Sequence, residues 1–87
     1  MLPPDQTPIR KLKNLGPASE RMLAQIDVFT AGDIRTLSPA LIYQILRDKG
    51  TPVSMNLLYA LEAAITGRHW LELSVDEKNQ LRQACEG

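Results

Sequence analysis

Apolar residues recur along this chain at intervals of three and four rather than two, the spacing of helix faces. The clearest case is Ser54 to Gly67, SMNLLYALEAAITG. Between Met55 and Ile65 only Asn56 and Glu62 are clearly polar, and Leu57, Leu58, Leu61, Ala64 and Ile65 follow helical spacing. A helix apolar over most of its circumference is one that the rest of a domain wraps around. Ser54 is placed to accept from the first free N–H groups of this helix. Gly67 is placed to close it in the left-handed conformation, behind Thr66, a poor helix continuer. The segment is too short and too interrupted to span a bilayer.

The flanking pattern predicts further short helices. Residues 1–7 hold two prolines and no periodic pattern, and read as a flexible lead or the end of a linker; residues 8–87 read as one domain. Pro8 suits the first position of a short helix in which Ile9 and Leu12 share a face. Asn14-Leu15-Gly16-Pro17 predicts a tight turn, because Asn and Gly tolerate positive φ. A second helix is expected over about Pro17 to Ile26, with Ala18, Met22, Leu23 and Ile26 inward. Val28 and Phe29 are expected to plug the core. Thr30 and Asp33 form a capping box for a helix from Ala31 to Leu37, with Ile34 and Leu37 inward. Ser38-Pro39 opens the next, running to about Lys49 with Leu41, Ile42, Ile45 and Leu46 inward and Gly50 ending it. Trp70 and Leu73 are expected to cover one end of the core. Ser74 and Glu77 form a second capping box, before a last helix over about Val75 to Glu86 with Leu81 and Cys85 on one face and Ala84 beside them. No strand alternation of useful length occurs. The fold class is therefore all-α, a bundle of five or six short helices.

Composition sets limits on function. Hydrophobic residues make up 44% and charged residues 23%, which argues for a packed domain over a disordered chain. Ten cations balance ten acids, so the formal charge is zero. That balance counts against strong nonspecific DNA affinity, though not against a local basic patch. The patch exists: Arg10, Lys11, Lys13 and Arg21 stand against Glu20 alone, a local charge of +3. The segment from Glu62 onward carries three cations against five acids, so the chain is polarised. One reading is a phosphate-facing end and a protein-facing acidic end; the other is an ordinary solvated surface. A lone cysteine, Cys85, permits no internal disulfide and suits a reducing compartment. No signal peptide or membrane-spanning pattern is visible, which makes the cytoplasm the expected location.

The stretch Leu12-x-x-Leu15-Gly16-Pro17-x-Ser19-x-x-x-Leu23 resembles a helix-hairpin-helix element. In such an element the backbone N–H groups of a glycine-bearing turn and of the following helix N-terminus hold a DNA phosphate. The longer pattern is more specific. L-x-N-L-G-P-x-S, then F-T-x-x-D-I-R-x-L, then V-S-M-N-L-L-Y-A-L-E-A-A-I-x-G-x-H-W resembles the C-terminal domain of the TfoX/Sxy family, over roughly Ile9 to Cys85. The resemblance implies a bacterial cytoplasmic protein connected with regulation of natural competence. Its implied hairpin contacts to DNA phosphate are Arg10, Lys11, Lys13, Gly16, Ser19 and Arg21. The hairpin departs from the phosphate-binding form at Asn14, Ala18 and Glu20, where glycine, a basic residue and a small residue are usual; a purely packing role for it stays open.

The remaining candidates for chemistry have simple structural readings. His69, the only histidine, is placed to cap the carbonyls of the preceding helix. Cys85 lacks a neighbouring base and reads as packing. Tyr43 and Tyr59 read either as partner anchors or as core boundary. No nucleophile–base pair, acid pair, metal-ligand spacing or phosphate loop is visible, so neither an enzyme nor a cofactor is expected. The expected function is a non-enzymatic interaction module of the TfoX C-terminal type in competence gene regulation, with a protein partner such as a regulator or the transcription machinery. No membrane or small-molecule partner is expected. The alternative is a sequence-independent DNA-binding hairpin module.

Overall fold

The computed structural model describes residues 2–86. Five α-helices follow one another: α1 (Pro17–Ala24), α2 (Ala31–Leu37), α3 (Pro39–Asp48), α4 (Met55–Thr66) and α5 (Val75–Glu86). Two single 3-10 turns, Ile9–Lys11 and Trp70–Glu72, precede α1 and α5. The described residues form no strand, only an isolated antiparallel bridge between Pro8 and Thr30. The all-α expectation holds. The first arm of the expected hairpin, however, is one 3-10 turn rather than a helix. Leu12 already has extended backbone and Asn14 a φ of 74°, so the chain has no room to continue helically before Pro17.

Helix α4 is the centre, as its pattern predicts. Seven of its residues are buried, and they divide between two clusters. Ala60, Leu61, Ala64 and Ile65 pack with Ile9, Leu23, Ile34, Ile42 and Leu46, among others. Leu58, Tyr59 and Ala63 pack with Tyr43, Leu73 and Cys85. The helix thus forms a shared wall, which explains why its apolar surface exceeds a single stripe. Tyr43 and Tyr59 are core residues and not exposed anchors. Cys85 is buried against α3, with Sγ 3.9 Å from the Ala40 carbonyl.

The caps mostly match the sequence reading. Thr30 and Asp33 make the reciprocal box on α2, and Ser74 and Glu77 exchange two 3.1 Å bonds at the start of α5. Ser38 Oγ accepts from the Leu41 N–H, and Gly67 closes α4 at φ 71°. Ser54 departs from expectation, since its side chain makes no cap bond. It lies on the exposed rim, where a first-turn N–H group left to solvent carries no desolvation cost. Gln44 of α3 donates to the Ala84 and Cys85 carbonyls, at 3.0 and 2.9 Å, and so satisfies the C-terminus of α5 from a neighbouring helix.

Three apolar residues face outward against expectation. Val28 fills the core slot of the α1–α2 connection, and Phe29, next along the chain, is left 54% exposed. Leu41 precedes the α3 inner face of Ile42, Tyr43 and Leu46 by about 100° of helix rotation and is 41% exposed. Ala18 is exposed because Leu23, Met22 and Ile26 already supply the packing face of that region.

Residues 4–8 cross the N-terminus of α2. The Thr7 and Asp5 carbonyls accept from the Ala31 and Gly32 N–H groups, both at 2.9 Å. Asp5 also pairs with Arg35 at 2.6 Å, and Arg35 donates onward to the Ile65 carbonyl at 2.9 Å. Gly32 is needed for this crossing, since a Cβ there would lie 2.9 Å from that of Asp5.

Candidate nucleic-acid interface

Buried Leu12 and Leu15 anchor the N-terminal turn from below, and the cations around them stay at the surface. Arg10, Lys11, Lys13, Gly16 and Arg21 are exposed, and Ser19 is half-buried. Three ion pairs exist among the described residues: Asp5–Arg35, Arg47–Asp48 and Arg68–Glu77. None involves Arg10, Lys11, Lys13 or Arg21, so all four cations face solvent without an acid partner.

The structure does not gather the six residues at one focus. Lys11 and Lys13 line a groove of about 290 Å³ beside Ala64 and Gly67, at the C-terminal end of α4. Ser19 lines a different groove, about 350 Å³, with Met22, Asn56, Leu57 and Trp70, on the N-terminal part of the same helix. Gly16 is the N-cap of α1, with φ −110° and ψ −172°. That is extended backbone open to any residue, and a Cβ there would meet nothing within 4 Å. Neither conformation nor packing requires a glycine at this position.

Asn14 explains its own departure from the usual glycine. Its left-handed backbone makes the turn, and its side chain reaches across the domain. Nδ2 donates to the Arg68 carbonyl at 2.8 Å, and Oδ1 accepts from the Trp70 N–H at 3.1 Å. The turn is thereby clamped to the α4–α5 connection. Sequence spacing gave no sign of this pairing; the available signal was an Asn, with its amide side chain, where a bare glycine would serve the turn alone.

The clamp leads to an acidic cluster. Arg68 and Glu77 form a bidentate pair at 3.1 and 2.6 Å. The Arg68 guanidinium, helped by the Ser74 N–H, holds the Glu77 carboxyl at about 2, and the same pair raises Arg68. Glu62 is raised instead, because burial outweighs the attraction of Arg68. Glu77 therefore stabilises the fold above the ordinary carboxylate value of 4.5, and that contribution is lost as pH falls towards 2. Glu62 acts oppositely, since its protonation on acidification relieves a buried charge. Glu77→Gln is expected to melt below wild type at neutral pH, with the gap closing in melts taken between pH 4.5 and 2. A gap that persists at pH 2 would remove the ion pair as its cause.

His69 caps forward rather than backward. Its Nδ1 accepts from the Leu71 N–H at 3.2 Å, while Glu72 accepts from the His69 N–H, a capping box for the second 3-10 turn. The Gly67 and Arg68 N–H groups and the Thr66 hydroxyl already serve the last carbonyls of α4, so the preceding helix needs no imidazole. Lys78 Nζ lies 5.5 Å from the Tyr59 ring centroid and 5.9 Å from that of Trp70, a double cation–π contact that spacing did not reveal. The described residues contain no group of three His, Cys, Asp or Glu placed to hold a metal ion. Nor is any helix among them long and apolar enough to cross a membrane.

The sequence model of the TfoX C-terminal domain matches residues 5–85. The chain belongs to the TfoX C-terminal domain family. No curated protein matches the sequence. A crystal structure of an uncharacterized protein from Listeria monocytogenes, in a triclinic form, superposes with a TM-score of 0.81 at 26% identity. The match covers 93% of this chain and 96% of that one, so a second chain of closely similar extent has this fold.

Proposed function

We propose that this TfoX C-terminal domain is a non-enzymatic interaction module in the regulation of competence genes, in the bacterial cytoplasm, and that its N-terminal surface contacts nucleic-acid phosphates. The observation that carries the phosphate reading is the cluster Arg10, Lys11 and Lys13, exposed and without acid partners. The competence role rests on family membership. A protein partner at the acidic end is the second reading, favoured by Leu71 and Val75, which stand 66% and 72% exposed beside the start of α5.

Duplex DNA binding is expected to be weak, because the net charge is zero. Three phosphate contacts correspond to a log–log salt slope of about −2.7, so raising salt from about 50 to 200 mM weakens binding about 40-fold. Replacing Arg10, Lys11 and Lys13 together with Ala is expected to abolish binding and its salt dependence while leaving the melting temperature unchanged. Fluorescence anisotropy with labelled duplex measures both. Binding that survives the triple change would move DNA to another face. If no DNA binds, capture of a protein from nuclease-treated lysate that depends on Leu71 and Val75 would support the second reading.

A further inference from the structure

The chain has four aromatic residues of the Phe, Tyr and Trp types. Tyr43 and Tyr59 are buried and Trp70 is half-buried; Phe29 alone stands more than half exposed. Its backbone is also bonded on both sides. Its N–H donates to Asp33 Oδ2 at 2.9 Å, and its carbonyl accepts from the Ile9 N–H at 3.2 Å. A protruding ring on a fixed backbone loses little freedom when another flat surface docks on it.

Its surroundings indicate which surface. The bond from Ile9 puts Phe29 one residue from Arg10, and the Ile9–Lys11 turn packs on α1, which carries Arg21. Both cations are exposed without acid partners. Among the nearby acids, Asp33 is engaged by two backbone N–H groups and Asp5 by Arg35. Asp27 is the exposed acid of the same connection. We infer that this surface binds single-stranded nucleic acid, with an unpaired base stacked on Phe29 and the adjoining phosphates on Arg10 and Arg21. The inference rests on the phosphate reading above and narrows it. A duplex keeps its base faces covered, so an exposed ring gains nothing from it; single strands offer those faces regardless of sequence. Stacking also supplies affinity that a neutral domain does not draw from phosphates alone.

The test is anisotropy with a labelled thymidine homopolymer and a duplex of equal length, both at about 50 mM salt. The single strand is expected to bind more tightly. Phe29→Ala is expected to weaken single-strand binding about 5- to 100-fold, leaving duplex binding and the melting temperature unchanged. Phe29→Tyr is expected to restore it, and Asp27→Asn to strengthen it by removing a repulsive charge. Single-strand binding indifferent to Phe29→Ala, or duplex bound equally well, would overturn the stacking role while the cation triple variant still reports on phosphate contact. Failure of both nucleic acids to bind would overturn the two readings together.

Discussion

Leu61→Ala is expected to cost about 2–5 kcal/mol. Leu61 is fully buried in the larger cluster, where Leu23, Ile34, Ile42 and Leu46 are fully buried too. Those four come from α1, α2 and α3, so the vacated volume is bounded by three other helices and cannot close by shifting one of them. A core in a chain this small supplies only about 3–5 kcal/mol net. The variant therefore sits near the unfolding midpoint at ordinary temperature. Urea titration checks this through a lower midpoint at unchanged slope. Leu57→Ala, on the half-buried edge of α4, is expected to cost much less. A Leu61→Ala loss under about 1 kcal/mol would take α4 out of the centre of the fold.

Asn14→Ala is expected to cost about 2–4 kcal/mol, large for a residue in a surface turn. Two part-buried hydrogen bonds disappear, each worth about 0.5–1.5 kcal/mol. Alanine at a φ of 74° adds about 1 kcal/mol of backbone strain. Asn14→Gly separates the two causes: it relieves the backbone and loses only the bonds, so it is expected to fall between alanine and wild type. Asn14→Asp keeps the acceptor for the Trp70 N–H but sets a carboxylate against the Arg68 carbonyl, and is expected to resemble alanine. Thermal melts followed by Trp70 emission report both the stability and the release of the connection. An alanine variant within about 0.5 kcal/mol of wild type would show that the clamp contributes nothing to the fold.

What was legible in the sequence is what depends on near neighbours. The Thr30–Asp33 and Ser74–Glu77 boxes fixed the starts of α2 and α5, because a capping box is complete within four residues. The turn at Asn14 and the end of α4 at Gly67 followed from backbone preference alone. What was not legible depends on distant partners. The Asn14 bonds span 54 and 56 residues, and the Gln44 cap on α5 spans 40 and 41. Phe29 and Leu41 obey local apolarity yet face outward, because neighbouring positions had already filled the space. His69 was placed on the wrong side of its turn because Thr66, Gly67 and Arg68 already serve the carbonyls of the preceding helix. For the candidate site, the exposure of Arg10, Lys11 and Lys13 was legible from their charge. Their lack of acid partners, and the separation of Ser19 into another groove, required the fold.

The crossing of residues 4–8 over α2 determines how this domain would carry anything joined ahead of it. A free lead would let an attached segment sample a wide volume, with its local concentration falling as its length grew. Asp5, held by Arg35 and by the Gly32 N–H, moves the pivot forward to Pro4 and gives the outgoing chain a direction. Leu2, Pro3 and Pro4 lie in the same groove as Lys11 and Lys13, so that direction starts beside the cations. An acidic segment joined there would act as a tethered competitor at high effective concentration and mask them. A neutral or basic one would leave them open or extend them, so the charge of the attached segment becomes a setting for nucleic-acid affinity.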